Sequence, residues 1–299
     1  MRSKFIVPGL GLILMAAMCV WVGGCSDDSN PAADKILPGA ADDPQFLFVQ
    51  DHIDNYLDTA NVYFETAFDN MYLVPGGSGE EYPLPDPETE DPDIPMYGPM
   101  DDGALFEYTY ADGWHVRYIY RENSVFTDHF RDSTQFMAVS EVVEDAESAD
   151  YMNFILHWDY TDNETDATHY NWAGYMNFEF SDLDATTATI SGTDASRIEW
   201  NYISVDTTIE AVVDMAVTVT DLAVYQSAGE VWDCGCPTDG TVEMDVNVSY
   251  TLDDGVFPQM TATAWDVTVE ITDGAAEVRV VNGKEYWEYT VDMCTVTSE

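Results

Sequence analysis

Positive charge is what this chain of 299 residues has least of: nine Lys and Arg stand against 57 Asp and Glu, for a formal net charge of −48. So acidic a surface repels phosphate backbones and anionic headgroups, which excludes nucleic-acid binding and docking on a membrane through charge. Catalytic signatures are missing too. The chain holds no G-x-S-x-G, no phosphate-binding glycine loop, no H-E-x-x-H and no C-x-x-C-H. No reaction class therefore has a motif to stand on, and a non-enzymatic role is the expectation. There are only five cysteines, and no internal repeat of fixed period occurs. Disorder is excluded by a 46% share of hydrophobic residues, ample in a chain of this length for a real core.

The chain begins with two of its few cations, Arg2 and Lys4, followed by an apolar run from Phe5 to Val22 and then Val22-Gly23-Gly24-Cys25. A charged start, an apolar middle and small residues before a cut site make an export signal rather than a domain helix. With Cys at the first position after the cut, the segment resembles the lipobox of bacterial lipoproteins. It departs from the commonest pattern at Val22, where Leu is usual, and at Gly23, where Ala or Ser is. The resemblance implies a signal peptide over 1–24, cleavage before Cys25, a diacylglycerol on the Cys25 sulfur and a fatty acyl chain such as palmitate on the new amino terminus. Ser26 rather than Asp after that cysteine implies sorting to the outer membrane, with the lipid as the membrane partner.

Residues 25–43 are small, acidic and Pro-bearing, and read as a flexible tether. Asp43-Pro44 supplies an N-cap and a first-turn proline, and apolar residues from Val49 to Met71 keep helical spacing, which predicts an amphipathic helix over 44–74. Residues 75–103 hold seven of the 13 prolines and the run DPETEDPD, an acidic linker or surface loop. From 104 to 299 the period changes to two, as in Val242, Met244, Val246 and Val248 against Glu243, Asp245 and Asn247. The fold class expected is mainly β: an antiparallel meander of about ten strands forming a curled sheet or barrel-like domain, with the one helix packed on it.

Turn signals fix trial registers. A two-residue loop at Asp273-Gly274 pairs Ile271 with Ala276 and Val269 with Val278, all on the dry face. The same loop at Asn282-Gly283 pairs Val278 with Trp287 and brings Glu270, Glu277 and Glu288 onto one wet rung, with Glu243 and Arg279 near. At Asp112-Gly113 a three-residue loop sets Tyr110 on Trp114 and Glu107 on Arg117 and keeps the rings on the dry face. That face then carries Phe106, Tyr108, Tyr110, Trp114, Tyr118, Phe154, Trp158, Trp172, Trp200, Trp265 and Trp287.

Candidate sites follow from these placements. Cys236 and Cys294 fall at the same end of the sheet, so a disulfide from Cys236 (or Cys234) to Cys294 suits an oxidising envelope. Adjacent carboxylates oppose folding unless a cation, a proton or salt intervenes. Glu270, Glu277 and Glu288, and the loop acids Asp159, Asp162, Glu164 and Asp166, read either as Ca²⁺ ligands or as solvated acidic surface. The loop lacks the EF-hand glycine and final Glu, having Ala167 and Ala173 there. No cofactor is otherwise expected. His157, Asp159 and His169 share a face and are the nearest approach to a transition-metal set. Arg117, Arg121 and Arg131 suit an anion or, more simply, ion pairs with neighbours such as Glu107.

Anchor, helix and aromatic meander together resemble periplasmic lipoprotein carriers and lipocalins in layout. The expectation is an outer-membrane-anchored envelope lipoprotein with a non-enzymatic binding or scaffold domain, for a hydrophobic small molecule or an envelope protein. The alternatives are a glycan-acting hydrolase using Glu243, Glu270, Glu277 and Glu288, an inert surface lipoprotein suited to a saline medium, and a transmembrane barrel whose dry face meets lipid.

Overall fold

The computed structural model describes residues 36–57, 105–122, 126–143, 149–162, 168–183, 187–203, 208–225, 237–253, 259–283 and 285–293. The signal segment and lipobox with Cys25, the helix beyond residue 57, the linker and the three cysteines Cys234, Cys236 and Cys294 lie outside them. A short strand β1 (Leu37–Pro38) precedes helix α1 (44–57). The rest is a meander of long strands. It opens with β2 (Leu105–Ala111), β3 (Trp114–Glu122), β4 (Phe126–Ala138) with its short partner β5 (Glu141–Val143), β6 (Tyr151–Asp162), β7 (Thr168–Ser181) and β8 (Thr187–Ile203). It continues through β9 (Thr208–Tyr225), β10 (Pro237–Asp253), β11 (Gln259–Thr272), β12 (Ala275–Asn282) and β13 (Glu285–Asp292).

All belong to one 13-stranded sheet whose strands pair antiparallel in sequence order, except that β4 pairs directly with β6, β5 pairs only with β4, and β1 lies parallel on the outer edge of β13. The edges β1 and β2 do not pair with each other, so the sheet is open rather than closed into a barrel. The end of the segment read as a tether is therefore held. Gly39 N donates to Tyr286 O at 2.8 Å, and Trp287 Nε1 donates to Ala40 O at 2.9 Å.

Helix α1 starts where its cap residue dictates. Asp43 Oδ1 accepts from the backbone N–H groups of Gln45 (2.8 Å) and Phe46 (3.1 Å), with Pro44 in the first turn. Its stripe of Phe46, Val49, Ile53 and Leu57, at most 5% exposed, lies in the core with the apolar face of the sheet. Phe46 stacks on Trp287 of β13 (4.9 Å) while Phe48 meets Trp200 of β8 (5.6 Å). Those strands stand five places apart, roughly 24 Å on a flat sheet, yet both touch one helix about 10 Å thick. The sheet must curl around α1, and its concave face is the dry one.

The hairpin registers test the sequence reading in detail. Ile271 pairs with Ala276 and Val269 with Val278, as expected from Asp273-Gly274, whose positive φ values (50° and 81°) suit a tight two-residue turn. At the next hairpin Asn282 itself pairs with Glu285, so the turn falls one residue later than Asn282-Gly283 would put it. Val278 then faces Tyr289, not Trp287, and Trp287 faces Val280. A slip of two residues keeps every side chain on its expected face but moves it one rung.

The first hairpin differs more. Its loop has two residues, Asp112 (φ 54°) and Gly113 (φ 82°), which pairs Tyr110 with His115 and Tyr108 with Arg117. On β3 the buried side chains are His115, Arg117 and Ile119. Trp114 and Tyr118, read as dry-face rings, point to the convex side. The three-residue loop had assumed that the concave face is apolar throughout, and here it is not.

Close approach explains one glycine. A Cβ on Gly174 of β7 would stand 2.0 Å from the Trp158 ring of β6, which lies across it. Gly174→Ala is expected to cost about 1–3 kcal/mol by displacing that ring, measured as a lower urea midpoint with an unchanged m-value.

Candidate functional site

Because pairing is regular, one can walk along a single rung of the concave face. Arg117, Asp132, Leu156, Met176, Asp194, Val217, Met244, Val267, Val280 and Trp287 succeed one another across β3 to β13. Three positions on this row are charged, Arg117, Asp132 and Asp194, and the rest are apolar. Asp132 is 1% exposed and takes a bidentate ion pair from Arg117, with Nε at 3.0 Å from both oxygens and Nη2 at 2.7 Å from Oδ2. His115 lies two residues along, against Phe136 (5.6 Å) and Tyr110 (4.6 Å).

Asp194 has no such cation. It is 3% exposed, between Met176 and Val217, with Tyr56 of α1 as its hydrogen-bonding neighbour, and its Oδ1 lacks a partner among the described residues. Burial pushes its carboxyl up to about 7, and Tyr56 only partly offsets this.

Further along the strands the concave face opens. On β6 the inward residues run from Met152, Phe154 and Leu156, fully buried, through Trp158 (6% exposed) to the half-buried Tyr160. On β7 they run from Phe180, Phe178 and Met176 to the half-buried Trp172 and Tyr170. The rungs at this end carry Asp128, Tyr160, Trp172 and Ile198, then Tyr170 and Trp200.

Ring meets ring throughout this mouth. Phe126 stacks on Tyr160 (5.7 Å), Tyr160 meets Tyr170 (6.1 Å), and Trp158 meets Trp172 (5.5 Å). Helix α1 contributes Phe48 and His52, both against Trp200. At the rim Arg121 pairs with Asp128, and its guanidinium lies 5.9 Å from the Phe126 ring centroid. The mouth is dry enough to push the Tyr170 phenol up to about 12, first through burial and then through Tyr160.

The sites expected from sequence are dispersed by comparison. Glu270 and Glu277 are neighbours on the convex face. Glu288 instead faces Arg279, whose Nη1 reaches it at 3.3 Å, because of the slip at the last hairpin. Glu243 lies on β10 opposite Thr268. Asp159 is exposed opposite His129, and Asp162 lies opposite Phe126 at the end of its strand, while Glu164 and Asp166 lie outside the described residues.

His157 pairs with Tyr175, six residues from His169 along β7 and so roughly 20 Å away, too far to share an ion. Among the described residues no group of three or more His, Cys, Asp or Glu is placed to hold a metal ion. Of the three arginines, Arg117 and Arg121 pair with Asp132 and Asp128, not Glu107, which stands opposite Tyr118; Arg131 is exposed on the convex face. Sequence reasoning missed Asp132 and Asp194, though the frame Ile190, Asp194, Ile198, Trp200 already places Asp194 on the dry face.

No protein-family model, no curated protein and no solved structure matches this chain. The site must be read from its own geometry.

Asp132→Ala is expected to cost about 3–5 kcal/mol by stranding the buried Arg117 charge. Replacing both residues together with Met and Leu should recover most of that loss, as chemical denaturation of the single and double variants will show.

Proposed function

We propose that the protein is a lipid-anchored binding protein of the bacterial outer membrane, held by Cys25, that takes an apolar ligand at the aromatic mouth of its concave face. The observation that carries this reading is the gradient along β6 and β7, from fully buried apolar side chains to Tyr160, Trp172, Tyr170 and Trp200, still ringed together yet half open to solvent. Ligand sites are of this kind: mostly aromatic walls, concave, with a few polar groups at the rim, here Arg121, Asp128 and His52. The acidic convex face supports an orientation in which charge faces water and the lipid anchor, not the surface, holds the protein to its membrane. The apolar face, which a transmembrane barrel would turn to lipid, is instead wrapped on α1.

Catalysis by a carboxylate pair calls for a shielded cleft. Glu270 and Glu277 stand exposed on an open sheet face and Glu288 beside Arg279, so these residues support binding over hydrolysis.

Two measurements test the reading. The neutral fluorescent probe N-phenyl-1-naphthylamine should bind the wild-type protein, and Trp172→Ala or Trp200→Ala should weaken it by tenfold or more while near-ultraviolet circular dichroism stays native; unchanged affinity in both variants refutes the mouth. Cys25→Ser should abolish incorporation of labelled palmitate and move the protein from the membrane to the soluble fraction, whereas membrane retention without label refutes the anchor.

A further inference from the structure

The helix that supplies Phe48 and His52 to the mouth is the same one that lies over Asp194. Over 44–57 that helix has no Lys or Arg to set against the acid. Asp194 is flanked by Met176 and Val217 on its rung and by Gly192 and Ser196 on its own strand, with Tyr56 reaching it from α1. No charged side chain among the described residues bears on it. The nearest charges on its rung, Asp132 and Arg117, lie beyond Met176 and Leu156 and are bonded to each other. On the helix, Asp54 accepts from Tyr289 Oη (3.1 Å) toward β13, and Asp51 is exposed.

The second ionisable group of the seam is His52, whose Nδ1 lies 2.9 Å from Phe48 O and whose ring is 6.1 Å from Trp200 and nearly parallel to it. Asp194, 3% exposed, cannot carry its charge without water, and water reaches it only if α1 lifts; His52, half-buried at the mouth end of the seam, is partly stripped of water while the helix is seated.

We propose that α1 is a pH-sensitive lid, whose seating on the concave face is governed by two groups of opposite sign, the buried Asp194 of the sheet and the half-buried His52 of the helix. Its role at the mouth rests on the function proposed above; the seating itself does not. Signs follow from linkage. Asp194 stays protonated when docked, up to a pH of about 7, but ionises near its ordinary 3.8 once the helix lifts and water enters. Opening therefore becomes easier as pH rises from about 4 to 7, by up to roughly tenfold per unit, and levels off above. Burial lowers the pKa of His52, so its contribution runs the other way: opening becomes easier as pH falls below 6.5. The lid is thus loosened by one group as pH rises and by the other as pH falls, with Asp194 the stronger control because it is fully enclosed whereas His52 is only half-buried.

Hydrogen exchange of the α1 amides in the full-length protein, corrected for the intrinsic pH dependence of exchange, reads the opening directly. Wild type is expected to open more readily at pH 7 than at pH 5. Asp194→Asn should reverse that slope and His52→Phe, which keeps a ring on Trp200, should steepen it. The double variant should be flat. Asp194→Leu, which removes the acid together with its hydrogen bond to Tyr56, must show the same change of slope as the Asn variant. An unchanged slope in both Asp194 variants overturns the proposal, as does helix exchange that tracks the β-sheet core at every pH.

Entry of N-phenyl-1-naphthylamine, followed by stopped flow, separates the lid from the mouth. Faster entry at pH 7 than at pH 5, lost in Asp194→Asn, is expected. Normal binding with pH-independent entry overturns the lid as a gate, whereas absence of binding under all conditions overturns the mouth and leaves the exchange result standing.

Discussion

An antiparallel sheet with one apolar face has to cover that face, and among the described residues the cover is a single helix. Everything else in the architecture follows from the match between four side chains of α1 and the strands that bend around them. Phe46, Val49, Ile53 and Leu57 each contribute about 1.5–3 kcal/mol when fully buried. They do so only because β8 and β13, five strands apart, both reach the helix. A flat sheet would leave one of them exposed. The short strand β1 matters here beyond its length: by pairing with the edge of β13 it sets the entry of α1, and Trp287 closes over Gly39 and Ala40 to fix it. The same pairing covers the start of the β13 edge, at Glu285 and Tyr286, which would otherwise offer free backbone groups to another chain.

Against that apolar economy the polar residues of the concave face stand out. Arg117 and Asp132 satisfy each other bidentately, an arrangement that is weak evidence of stabilisation, since hydrophobic residues of similar volume often serve as well. It does specify the register of β3 on β4, because no neighbouring rung offers Arg117 a buried carboxylate. Asp194 contributes no such specificity. A group that breaks a local rule without a compensating partner is where function is expected. Its place under the helix makes it a cost on docking that vanishes whenever the acid is protonated, and that is what couples packing to pH.

How much of this was legible in the sequence depended on whether one face of each strand was uniformly apolar. From Val242 to Val280 it was, and both the faces and the Asp273-Gly274 register could be read directly. At Asn282-Gly283 the faces were legible but the rung was not, because two frames separated by two residues satisfy the same alternation; only the turn geometry at Gly283 decides. That small slip is what separates Glu288 from Glu270 and Glu277.

On β3 the alternation ran between an aromatic set, Trp114 and Tyr118, and a polar set, His115 and Arg117. Hydrophobicity chose the wrong set, since the deciding contact, Asp132, lies 15 residues away. The mouth was legible only as a list of rings. Which of them are half open depends on how far the core of α1 reaches along the strands, a tertiary quantity that no local pattern holds.

The convex face completes the electrostatics. Glu270 faces Glu277 and Asp245 faces Asp266 on adjacent strands, pairs that repel at close range, while Arg279 and Arg197 on the same face are engaged with Glu288 and with Glu199 and Asp214. Salt screens these exposed charges readily, with a Debye length of about 8 Å at physiological ionic strength, and the sheet survives them because its stability comes from the other side. What holds Asp194 protonated is therefore its burial on the concave side, offset only in part by Tyr56. The convex acids tax the sheet as a whole, whereas this one carboxyl, without a cation among the described residues, ties its own ionisation to the seating of the helix above it.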